Sequence, residues 1–239
     1  MNKIYNDLEE NGIYSSENLI DNFELKNLKE EFNIDENVKI FENIGNITEI
    51  QKISNTLYKL FEKEEIKDSL KKYFGQMPKC SLIHFSRTFP SFKTDEKKSI
   101  SSGSVLGFHN DDIGKQIKIN FLLTDLSIES NGLEYALRSH KISFLDNLIL
   151  KILNKFSLFK NWNKHFLNYQ INKILGLRPN FMNEKKIKKK FKIKRIFGKA
   201  GLVYIFDTNG FHRQAHVINQ KSELPFRELI TVYLIPDNV

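Results

Sequence analysis

A single cysteine, Cys80, stands in 239 residues, so the chain can form neither an internal disulfide framework nor a cysteine-rich zinc site. It also has no uninterrupted apolar run of membrane-spanning length. The most apolar helical stretch, 144–159, is broken by Asp146, Asn147, Lys151, Asn154 and Lys155. Nor do residues 1–7 hold the long apolar core that secretion requires. Together these absences set the expectation of a cytoplasmic protein without a membrane span. Acidic residues are also in deficit, 29 against 37 basic ones, which leaves a net charge of +8.

Much of the basic excess lies in one tract, 185–195, which runs from Lys185 to Arg195 and is interrupted by Ile187, Phe191 and Ile193. Basic tracts with interleaved aromatics can bind nucleic acid or anionic lipid. A solvated loop running into a strand explains the tract without a ligand, because Lys, Asn, Ile and Phe are abundant throughout the chain. No groove-reading helix or stacking platform is evident, so nucleic acid is not the expected partner. The surplus favours instead an anionic or carrier-linked small substrate. With 40% hydrophobic and 12% aromatic residues the chain is of folded globular type, and its length fits one large domain, 1–239.

Periodicity divides the chain. Residues 1–78 read as helical support. Thr48 with Gln51 matches a capping box, and Ile50, Ile53, Leu57, Leu60 and Phe61 recur at helical spacing. A second helix, 64–74, should stop at Gly75, ahead of Pro78. From Cys80 the period becomes two: Leu82, His84 and Ser86 alternate with Ile83, Phe85 and Arg87. The same alternation sets Ile117, Ile119, Phe121 and Leu123 against Lys118, Asn120, Leu122 and Thr124. Asn131-Gly132 signals a turn into a strand at 133–137, and strand period returns at 192–197, 202–206 and 226–235. Between them a helical insert, 143–195, begins with the stripe Leu145, Leu148, Ile149, Ile152, Leu153 and Phe156. The economical fold is mainly β with flanking α-helices, its strand-rich part spanning 79–239.

Within that part, His109 and Asp111 stand at i and i+2, so on an extended strand both side chains point the same way. His212 follows 212 − 109 = 103 residues later, and only tertiary structure can bring it near. Two imidazoles and one carboxylate have the composition of the facial triad that binds non-haem Fe(II) and leaves the opposite coordination positions open. Asp112 competes with Asp111, and His216 with His212, for the same roles. His140 reads as a structural histidine bonded to backbone, and His165 as a residue on the polar face of a helix. His84 either lines the mouth of a pocket on the substrate side or sits satisfied in the core.

Three blocks resemble the phytanoyl-CoA dioxygenase family of Fe(II)/2-oxoglutarate oxygenases. The first is Gly107-Phe108-His109-Asn110-Asp111-Asp112 with the strand from Lys118 to Asp125; the second is Asn131-Gly132-Leu133-Glu134-Tyr135 through Ser139-His140-Lys141. The third runs from Gly198 to His212-Arg213, and the blocks together cover roughly residues 80–235. The resemblance implies a double-stranded β-helix, a jelly-roll of cupin type, with His109, Asp111 and His212 as iron ligands. It implies Arg227 as the partner of the 2-oxoglutarate C5 carboxylate, where the bland reading is a salt bridge with Glu228 or Glu223. Alternation places Arg227, Leu229, Thr231 and Tyr233 on one face, which offers the Thr231 hydroxyl beside the guanidinium; Lys118 and Asn120 share a face and are candidates to contact cosubstrate or substrate.

The activity so implied is a dioxygenase that uses O₂ and 2-oxoglutarate to hydroxylate a small molecule. Related halogenases replace the carboxylate with a small residue, so retention of Asp111 favours hydroxylation. The insert would line or cover the mouth of the site. The alternative is a non-catalytic jelly-roll that holds a metal for a structural or sensing purpose. Two departures stand out. The spacing 227 − 212 = 15 is long for the family, and Arg138 replaces the glycine that usually precedes Ser-His.

Overall fold

The computed structural model describes residues 2–32, 38–88, 107–111, 116–128, 131–141, 182–215 and 227–237. Helix α1 (Lys3–Asn11) opens the chain; Asn2 caps it and Gly12 closes it with φ 79°. Strand β1 (Ile13–Ser16), helix α2 (Asn22–Phe32) and strand β2 (Val38–Asn46) follow. A 3-10 turn (Ile47–Lys52) then leads to α3 (Asn55–Glu62) and α4 (Glu64–Phe74). The remaining elements are β3 (Lys79–Thr88), β4 (Ile117–Leu122), β5 (Leu133–Ala136), α5 (Glu184–Lys190), β6 (Ile193–Arg195), β7 (Val203–Asp207), β8 (His212–Gln214) and β9 (Arg227–Ile235).

The strands form two antiparallel sheets, six-stranded in the order β1-β7-β4-β9-β3-β2 and three-stranded in the order β6-β5-β8. Period two gives the large sheet two unlike faces. On one, Ile117, Ile119, Phe121, Val203, Ile205, Ile230, Val232 and Leu234 pack against Leu8, Leu28, Leu57, Leu60, Phe61 and Leu70 of the helices. On the other, Leu122, Tyr204, Phe206 and Leu229 meet Leu133 and Tyr135 of the small sheet. The small sheet is backed by α5, whose Ile187 joins Phe108, Ala136 and Phe211. Two sheets face to face, helices outside: this is the mainly β architecture with flanking helices that the periodicity predicts.

Three local expectations are corrected. The first third is not wholly helical, because β1 and β2 form the two edges of the large sheet; β1 pairs with β7 through Ile13–Phe206 and Ser15–Tyr204. The helix expected from Thr48 is a 3-10 turn that ends before Ser54, and Ser54 is the true cap, its hydroxyl accepting from Leu57 N at 3.0 Å. The lysine tract is not a loop. Residues 184–190 form α5, capped by Asn183 and begun by an acidic residue, Glu184, which suits the positive helix N-terminus. The stop of α4 at Gly75, with φ 84°, is as expected. The insert stripe at 145–156, together with Asp112, His165, His216 and Glu223, lies outside the described residues.

Arg138 adopts φ 65°, a left-handed conformation that favours glycine, and its amide donates to Asn11 O at 2.9 Å. The turn therefore keeps the backbone of a glycine while carrying a long side chain. Arg138→Gly is expected to raise the unfolding free energy by about 0.5–1 kcal/mol, the left-handed penalty of a non-glycine residue less the greater unfolded-state freedom of glycine. Urea titration of both proteins checks this; no gain would mean that the side chain compensates the strain.

Candidate functional site

The site is built where the second and third sequence blocks meet the first. His109 N donates to His212 O at 2.9 Å, and His212 N donates to His109 O at 2.8 Å, so a pair of backbone hydrogen bonds sets the two histidines opposite each other. Asp111 N donates to Thr208 O at 3.1 Å, which ties its loop to the turn after β7. His212 in turn pairs with Tyr135 across the small sheet.

Both imidazoles are held from behind. Nδ1 of His109 lies 2.8 Å from Gly107 O, and Nδ1 of His212 lies 2.9 Å from Gly210 O. A carbonyl can only accept, so each Nδ1 carries the proton and each Nε2 presents a lone pair. The two Nε2 atoms each lie 3.4 Å from Asp111 Oδ1, and one ligand atom from each of the three residues falls within 4.8 Å of the others. Burial, against the opposing pull of Asp111, keeps the His212 imidazole below its usual value and favours the neutral form. Burial would push the Asp111 carboxyl up, but its close neighbours His212, Lys118 and His109 outweigh burial and hold the group well below the usual range. Lone pairs and a carboxylate thus converge on one point. A cation at that point relieves the crowding of acceptors, and neutral imidazoles with an ionised carboxylate are the forms that bind one.

The three residues border a cavity of about 300 Å³ whose walls come from both sheets. Lys118, Asn120, Thr231, Arg227 and His84 all line it beside His109, Asp111 and His212. Lys118 forms an ion pair with Asp111 Oδ2. Burial lowers the Lys118 ammonium pKa, but the Asp111 charge prevails and raises it. Asn120, Thr231 and His84 form one row across β4, β9 and β3. The Thr231 hydroxyl donates to Asn120 Oδ1 at 2.8 Å, while Asn120 Nδ2 is buried with no hydrogen-bond partner among the described residues. Arg227 does not pair with Glu228, which binds Arg87 at 2.7 Å. Its Nη1 donates to Asn131 O at 2.9 Å, and its Nε is likewise buried without a partner among the described residues. Burial, assisted by the Lys118 charge, lowers the His84 imidazole pKa.

Sequence reasoning passed over Tyr204 and Gln214, which also line the cavity. Gln214 stands two residues after His212, where strand alternation would have found it, whereas Tyr204 lies opposite Asn120 across β4 and β7, a pairing that spacing does not show. Gly210 serves the turn ahead of His212. A Cβ there would lie 1.8 Å from Tyr135 Oη, so this glycine permits a close approach while its carbonyl orients His212. His140, as expected, bonds backbone: its Nε2 lies 3.2 Å from Glu9 O. The lysines of α5 are exposed around a buried Ile187, and Lys188 pairs with Glu184. No helix among the described residues is long and apolar enough to cross a membrane.

No protein-family model and no curated protein matches the sequence significantly. Solved structures do match. HygX from Streptomyces hygroscopicus, with nickel and 2-oxoglutarate bound, is 12% identical with a TM-score of 0.56, over 99% of this chain and 87% of that one. SnoK, the non-haem α-ketoglutarate-dependent carbocyclase of nogalamycin biosynthesis, is 12% identical with a TM-score of 0.56, over 98% of this chain and 83% of that one. AviO1 from Streptomyces viridochromogenes Tue57 is 11% identical with a TM-score of 0.53, over 97% of this chain and 93% of that one. At such identities the likeness is one of fold, and that fold is one which non-haem iron, 2-oxoglutarate-dependent enzymes use.

Proposed function

We propose that this chain is a single-domain Fe(II)- and 2-oxoglutarate-dependent dioxygenase of the phytanoyl-CoA dioxygenase type, which hydroxylates a C–H bond of a small molecule. Its two sheets would be the halves of a double-stranded β-helix. The observation that carries the reading is the convergence of His109, Asp111 and His212, with both Nδ1 atoms tied to backbone carbonyls and both Nε2 atoms turned to one carboxylate oxygen. That backing by carbonyls is how metal-binding histidines are oriented. Two imidazoles and a carboxylate suit Fe(II) and leave positions open for cosubstrate and O₂.

The donors left over in the cavity fit the cosubstrate. Arg227 Nε and Asn120 Nδ2 are buried polar hydrogens without acceptors among the described residues, and a carboxylate supplies acceptors. Arg227 would hold the distal carboxylate, its fork already oriented through Asn131 O. Asn120 would donate its amide from a side chain fixed by Thr231. His84, with its neutral form favoured, would face the substrate from the cavity wall. The chemistry supplied there, once iron and 2-oxoglutarate are bound, is oxidative decarboxylation of the cosubstrate to succinate and CO₂ coupled to hydroxylation of a C–H bond. The net charge of +8 favours an anionic or carrier-linked substrate.

The test is to load the protein with Fe(II) and supply 2-oxoglutarate, O₂ and ascorbate. Iron-dependent succinate formation is expected even without the primary substrate. Fully metallated, folded protein that yields no succinate would instead be a metal-holding jelly-roll without catalysis.

A further inference from the structure

We infer that Lys118 is a positioning residue of the proposed metal centre: its ammonium occupies Asp111 Oδ2, so the carboxylate offers the ion Oδ1 alone and stays monodentate. This rests on the metal-site reading above and adds a role that the ligand set does not supply. The carboxylate is divided between two kinds of neighbour. Both imidazole Nε2 atoms stand 3.4 Å from Oδ1, whereas the Lys118 ammonium is ion-paired with Oδ2. Oδ2 has no hydrogen-bond donor among the described residues, so the ammonium meets it as an ion pair and nothing else holds that oxygen there.

The lysine is itself well held. It lies within β4, in register with Phe206 on β7 and Tyr233 on β9. Its Nζ is 4.7 Å from the Tyr233 ring centroid and 6.0 Å from that of Phe206, so aromatic faces attract the charge from the strands on either side. An ion that binds Oδ1 and two imidazoles therefore need not displace it. The two cations would share one carboxylate through opposite oxygens.

The consequence is a coordination count. In a six-coordinate site, three protein atoms leave about three positions, enough for a bidentate keto acid and O₂. A carboxylate that chelates through both oxygens would take one of these. Lys118 prevents that closure by keeping the second oxygen engaged.

The experiment uses Mn(II), which reports its bound waters through the relaxation of solvent protons. Wild type, Lys118→Met and Lys118→Arg are compared at matched Mn(II) occupancy, with circular dichroism verifying the fold. In Lys118→Met the inner-sphere contribution should fall by about a third, one of about three open positions. Its affinity for 2-oxoglutarate, measured anaerobically on the Mn(II) form, should weaken by roughly tenfold, as for loss of other groups that orient metal ligands. Lys118→Arg, which keeps a cation on Oδ2, should restore both. Unchanged relaxivity in Lys118→Met, or loss of Mn(II) binding in folded Lys118→Met protein, overturns the inference. Should Lys118→Met fail to fold, Lys118→Arg alone decides: wild-type relaxivity supports the role, a one-water deficit overturns it. Wild type that binds no Mn(II) would overturn the metal-site reading itself.

Discussion

Replacing His212 by alanine is expected to remove specific Fe(II) or Mn(II) binding, lowering affinity by more than about 100-fold, and to end succinate formation. Residues that merely orient metal-binding histidines already cost about 10–100-fold when altered, so loss of a ligand atom must cost more. The fold should survive, because what aligns His212 with His109 is a pair of backbone hydrogen bonds that alanine can still make. His140→Ala is the contrasting variant. His140 is equally buried but bonds Glu9 O on α1, away from the cavity lining. It should lose about 1–3 kcal/mol of stability through an unsatisfied carbonyl and keep wild-type metal affinity. Calorimetric titration with Mn(II) and urea unfolding of both variants separate the two effects. If His212→Ala retained metal affinity, the triad would not be the centre, and the assignment would fail with it.

What the sequence makes legible follows from period two. In β4 and β9 the faces are read correctly because each strand has one wall of aliphatic residues and one of polar ones, and the polar wall is the cavity. The triad is legible for a similar reason: two of the proposed ligands lie two residues apart, and the third sits in a block of the same family resemblance. Edge strand β1 is not legible. Four residues are too few to show a period, and their pairing with β7 spans nearly the whole chain. Helix α5 is hidden because six of its seven residues, 184–190, are charged, which leaves a single apolar position, Ile187. Its cap, Asn183, and its good helix formers were the available signals.

Charge pairing is a third kind of information that spacing does not carry. Arg213, adjacent to a proposed ligand, is neutralised by Glu134 at 2.7 Å and by Glu184 at 3.2 Å, residues 79 and 29 positions away. The Arg87–Glu228 pair likewise takes up the acid that a sequence argument would give to Arg227. Only after these pairs are formed does Arg227 emerge as a cavity cation with an uncommitted Nε among the described residues.

That uncommitted donor makes Arg227→Met the variant with the largest effect on cosubstrate. Truncating one member of a buried, hydrogen-bonded charge pair costs about 2–5 kcal/mol, so 2-oxoglutarate affinity should fall by roughly 30-fold to several thousand-fold. The arginine would grip the carboxylate in ground state and transition state alike, since it touches the end of the molecule that does not react. Hence KM for 2-oxoglutarate should rise while kcat at saturation changes little. Arg227→Lys should fall between, because an ammonium supplies charge but not the fork that places Nε and Nη1 on different acceptors. A structural role alone predicts another pattern. Loss of the bond to Asn131 O would lower stability by about 1–3 kcal/mol and leave 2-oxoglutarate affinity untouched in the protein that remains folded. Anaerobic titration of 2-oxoglutarate into Mn(II)-loaded wild type, Arg227→Met and Arg227→Lys, set beside their unfolding curves, distinguishes the anchor from the strut.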